Sequence, residues 1–149
     1  MNKKNLMIAG ALGAALSLAV AGGAALAHHA FAAEFDGKAP VLLRGKVTRV
    51  EWINPHAWVH VANVNPDGTT TAWMVEGGTP NTLLRSGIDR NSLKAGQEII
   101  VRGYQSKDRL CRPACKANGR DVTFPDGKKL VLGSSGTGAP KDGSDATEK

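Results

Sequence analysis

The chain has 149 residues, of which 42% are hydrophobic and 21% charged, and its formal net charge is +6. That is room for one ordinary domain, which argues against a two-domain enzyme, and the balance excludes a wholly disordered or polytopic membrane chain. Three Trp, three Phe and one Tyr stand against 18 Gly and 7 Pro, a composition suited to short strands and turns rather than long helices.

Lys3 and Lys4 precede an uncharged run from Leu6 to Ala27 that closes on Ala25-Leu26-Ala27. These are the basic, apolar and small-residue parts of a secretory signal, so residues 1–27 are expected to be cleaved on export to the periplasm. An uncleaved anchor is the alternative, because the run is about as long as a bilayer crossing. No stable membrane insertion is expected after cleavage. Loss of the two lysines lowers the formal charge from +6 to +4. The remaining charges are scattered with no basic block interleaved with aromatics, so no nucleic-acid partner is expected.

Residues 41–53, VLLRGKVTRVEWI, place Leu43, Gly45 and Val47 on one parity and Val50 and Trp52 on the other. One extra residue inserted as a bulge lets a strand switch parity without exposing its apolar face. AWVHVANV alternates as a second strand, Asn65-Pro66-Asp67-Gly68 is a turn, and TTTAWMVE returns as the third, making a hairpin. Thr79 as cap, Pro80 in the first turn and Gly87 at the end punctuate a helix of about two turns, whose Leu83 and Leu84 are expected to plug one end of the fold. LKAGQEIIVRGY supplies a fourth strand with Ile99 and Val101 facing inward, and GRDVTF and KKLVL around Pro125-Asp126-Gly127 supply a last strand or hairpin.

The expected fold is all-β with one short helix, a small closed OB-like five-stranded barrel, with an open sandwich as the alternative. The domain spans residues 28–133, and the tail 134–149, with almost no apolar residue, is expected to be disordered. Cys111 and Cys115 enclose Arg-Pro-Ala. In an oxidising compartment they read as a small disulfide loop. A redox pair or thiolate metal site is the alternative, although three residues intervene where the thioredoxin-like motif has two.

The blocks HHAFAAEFD, EWINPHAW, WMVEGGTPNTLLRSG, LKAGQEIIVRGY, ANGRDVTFPDGKKL and GSSGTGAP resemble an uncharacterised family of small bacterial exported proteins, a domain of unknown function. The resemblance covers nearly all of the chain after Ala27 and implies export and a small β-rich domain, with no mechanism attached. The CRPAC insert departs from the pattern, since relatives have a shorter turn there.

All four histidines lie between His28 and His60. If cleavage follows Ala27, His28 becomes the first residue, and its free amine and ring Nδ1 can chelate one ion. Nitrogen ligands in tetragonal geometry favour Cu(II), and a third nitrogen would complete a brace-like copper site. His28, His29, His56 and His60 are therefore the metal candidates. In one regular strand His56 and His60 would lie roughly 13 Å apart and could not share an ion. His56 follows Asn54-Pro55 and belongs to a rim loop, which makes it the favoured third ligand. The competing reading leaves His28 and His29 on a mobile terminus, His56 in a turn hydrogen bond and His60 on the surface. Phe31 and Phe35, four apart, argue that the terminus docks as a short helical turn.

Trp58 shares a parity with His56 and His60 and is expected half-exposed. With Asn54 it marks the rim as a ligand-binding surface, while Trp52 and Trp73 are expected in the core. Glu34, Asp36, Glu51 and Glu76 show no acid–base spacing, no serine sits in a nucleophile elbow, and GGTPN lacks the Lys-Ser/Thr of a phosphate loop. The reading is an exported binding or accessory module for an unknown small ligand or envelope protein, with copper at its new terminus. The alternatives are a copper-dependent redox enzyme and a metal-free envelope interaction protein.

Overall fold

The computed structural model describes residues 31–133. The signal segment 1–27, His28, His29 and the tail 134–149 lie outside the described residues. After helical residues 31–34 the chain forms β1 (Phe35–Glu51), β2 (Trp58–Val64), β3 (Thr70–Glu76), a helix (Pro80–Arg85), β4 (Glu98–Ser106), β5 (Cys115–Thr123) and β6 (Lys129–Val131).

Five of the strands bond in a ring. β1 pairs with both β2 and β4, β2 with β3, and β4 with β5, all antiparallel. The ring closes where β3 and β5 run parallel, from Trp73 opposite Cys115 to Glu76 opposite Asn118. This is the strand order expected of an OB-like fold. The short β6 lies outside the ring against β5.

β1 can serve both neighbours because it bends. Val47 stands opposite Val61 and Arg49 opposite His60, so Thr48 is an extra residue with no partner in β2. That is the bulge the parity switch calls for, and it keeps the apolar side chains on either side of it facing inward. Leu43 and Val47 join Val59, Val61, Val75, Ile99, Val101 and Val122 in the main core. β1 begins earlier than the apolar run, at Phe35, because Phe35 packs with Phe31 and Tyr104 at ring separations of 5.8 and 5.7 Å from Phe31. The aromatic pair docks the start of the domain as its spacing implies.

Thr79 Oγ1 accepts the Thr82 amide, Pro80 opens the helix, and Gly87 at φ +77° ends it. The amides of Gly87 and Ile88 bond back to the carbonyls of Leu84 and Leu83, the paired bonds of a Schellman end. Leu83 and Ile88 then meet in a second cluster with Ala57. Leu84 departs from expectation. It is 54% exposed against 3% for Leu83, because two adjacent helical residues point about 100° apart and only one can face the ring. Trp52 and Trp73 also depart from it, being half-buried against the clusters rather than enclosed. Among the described residues no helix is long and apolar enough to cross a membrane.

Candidate functional site

The loop between β1 and β2 is pinned to the exit of β3. Ala57 donates its amide to Gly78 O at 3.1 Å, and Gly77 donates to Ala57 O at 2.8 Å. This brings His56 over the end of β3, where its Nδ1 lies 3.3 Å from Gly77 O and 3.5 Å from Glu76 Oε1. A carbonyl oxygen only accepts, so in the neutral ring the hydrogen sits on Nδ1 and the lone pair on Nε2. The side chain is 36% exposed.

Glu76 is buried because the parallel β3–β5 pairing closes the ring at that residue. Its neighbour across the pair, Asn118, donates Nδ2 to Glu76 Oε1 at 3.4 Å. Burial pushes the Glu76 carboxyl above its ordinary value and Glu34 adds to this, while His56, Asn118 and Lys116 oppose it. Glu34 belongs to the N-terminal helical residues and lies 4.0 Å from Lys116 Nζ. The loop before β2, the end of β3, the start of β5 and the N-terminal turn therefore converge on one buried carboxylate.

His60 lies elsewhere in the ladder. It stands opposite Arg49 in the β1–β2 pair, and its Nε2 is 3.2 Å from both Arg49 Nη2 and Glu51 Oε1. A nitrogen held between a guanidinium and a carboxylate, with a cation alongside, is a poor metal ligand. Burial, and after it the Arg49 charge, hold His60 below its ordinary value of 6.5, with Glu51 opposing. As pH falls the unfolded chain therefore takes up this proton first. The resulting loss of stability begins near that ordinary value and levels off below the folded one. Wild type is expected to lose more melting temperature between about pH 7.5 and about pH 5.5 than His60→Gln does. Parallel losses would remove His60 from the account.

Trp58 is half-buried, as its parity implies, and stands opposite Glu76 in the β2–β3 ladder. Asn54 is exposed on the loop. Cys111 and Cys115 are joined in a disulfide that clips the start of β5, so both thiols are bonded. Among the described residues no three His, Cys, Asp or Glu side chains are grouped to hold a metal. The contacts of His56 engage its Nδ1 and leave Nε2 outside them. Glu76 carries no periodic signal of its own in the sequence, and Asn118 gives none at all. Their roles follow from a pairing between strands more than 40 residues apart.

A model of a protein family described only as being of unknown function matches residues 15–112. No curated protein matches the chain.

Proposed function

The chain belongs to the family of unknown function DUF6152, which assigns it no activity, and we propose that it is an exported binding module. In this reading it holds one Cu(II) ion between a newly exposed His28 and the rim histidine His56. The observation that carries the reading is the His56 ring. Its Nδ1 is committed to Gly77 O and Glu76 Oε1, and metal-ligating histidines are commonly oriented by that same outer contact to a carbonyl or carboxylate.

His28 precedes Phe31 by three residues, which span at most about 10 Å when extended. Phe31 is anchored in the aromatic cluster, and Glu34 of the same helical residues acts electrostatically on Glu76. The α-amine and ring Nδ1 of His28 would supply two nitrogens and His56 Nε2 the third, a set that suits tetragonal Cu(II). A free α-amine titrates near about 7.7–8.0, so losing its proton to a metal costs little at neutral pH. Copper is then retained rather than turned over, and no general acid or base is required of Glu76.

Export-matured protein is expected to bind one Cu(II) with release of protons, as read by titration in weakly buffered solution. The same protein carrying one additional residue before His28 is expected to lose both signals. Equal binding by the extended chain would contradict the proposal.

A further inference from the structure

Beyond the rim histidine, the helix side of the fold carries a second feature. A cavity of about 430 Å³ opens between Trp52, the outer face of the helix and the loop that follows it. Its lining is divided in character. Trp52, Pro80 and Leu84 supply apolar surface, and Asn81, Asp89, Arg90 and Asn91 supply polar groups. Leu84 is 54% exposed here.

The polar side is shaped from within. Asp89 Oδ1 accepts the Asn91 amide at 2.8 Å and the Ser92 hydroxyl at 3.0 Å. This folds the loop back on itself and presents Arg90 and Asn91 outward. Among the described residues the guanidinium of Arg90 and the carboxamides of Asn81 and Asn91 have no hydrogen-bond partner. The indole Nε1 of Trp52 is buried and also lacks one.

We propose that this cleft binds a neutral pyranose saccharide. A sugar ring is amphiphilic, with a C–H face that stacks on an indole or pyrrolidine and a rim of hydroxyls that both donate and accept. The cleft offers apolar surface from Trp52, Pro80 and Leu84 together with a mixed set of donors and acceptors. Its two ionic residues, Arg90 and Asp89, are of opposite sign. The lining therefore selects for hydroxyl groups over a net charge, and an acidic or basic peptide gains no complementary field. A wholly apolar anchor would leave Arg90 and the two carboxamides facing it, a desolvation cost that hydroxyls remove. The inference is independent of the copper reading, because the hydrogen-bond and ion-pair partners of His56 are Gly77 and Glu76, and neither lines this cleft.

The test is two-dimensional NMR of the full domain titrated with cellobiose, maltose and N,N′-diacetylchitobiose, and with a glutamate-rich peptide as the charged contrast. At least one disaccharide is expected to produce saturable shifts at the Trp52 indole and at the Asn81 and Asn91 carboxamides. The exposed substitutions Arg90→Ala and Asn91→Ala are each expected to weaken that binding about tenfold, the loss expected for about one hydrogen bond to a charged or polar group. His56→Ala is expected to leave it unchanged. The inference is overturned by any of three results: no disaccharide shifts these resonances, the peptide shifts them more strongly, or Arg90→Ala binds sugar as well as wild type does.

Discussion

His56→Ala is expected to weaken Cu(II) binding by about a hundredfold, read by competition against a chelator of known affinity. Without the ring the ion keeps only the two nitrogens of His28, and tetragonal Cu(II) gains much of its affinity from a third. The fold should tolerate the change, since the side chain is 36% exposed and lies in a loop. Glu76→Gln is expected to have a smaller effect, about tenfold, because the amide still fills the space but removes the carboxylate 3.5 Å from Nδ1. His60→Ala should leave affinity unchanged, its Nε2 lying between Arg49 and Glu51. Equal affinity of His56→Ala and wild type would place the third ligand elsewhere.

The largest effect on stability is expected at Gly45. A Cβ built there would sit 1.8 Å from Ala62 O and 2.8 Å from Ala62 C, both backbone atoms of the adjacent strand. Neither can rotate away, so relief requires β1 and β2 to separate in the segment where β1 also holds β4. Gly45→Ala is expected to cost about 3 kcal/mol or more in urea unfolding, at the upper end of overpacking effects. Gly68→Ala is the informative contrast. There a Cβ meets nothing within 4 Å, but the backbone is at φ +83°. Its cost is expected to be about 1 kcal/mol, the left-handed penalty alone. Similar costs at the two sites would mean that the close approach of β1 and β2 does not govern the ring.

What could be read from the residues, and what could not, divides by range. The bulge at Thr48 is legible because alternation along one strand must change parity when the backbone gains a residue. The helix ends are legible because Thr79, Pro80 and Gly87 act on backbone groups within a few positions. The docking of Phe31 on Phe35 is legible for the same reason. The half-burial of Trp52 and Trp73 and the exposure of Leu84 were not, since hydrophobicity states what a side chain favours and not how much wall the ring provides. The burial of Glu76 was hidden for a different reason. Alternation in TTAWMVE sets Val75 and Glu76 on opposite faces, and both are buried only because β5 closes against β3. With that closure an ordinary surface carboxylate becomes the partner of His56. The site was thus half visible. His56 stands out by residue type and by the proline before it, while Glu76, 3.5 Å from its Nδ1, and Asn118, which donates to Glu76, enter through a long-range parallel pair.

Native mass spectrometry of the protein recovered after secretion tests the copper reading most directly. The expected species begins at His28, carries the Cys111–Cys115 bond, and retains one copper ion that is lost in His56→Ala. A chain that begins at any other residue, or one that holds copper equally well with alanine at position 56, would contradict it.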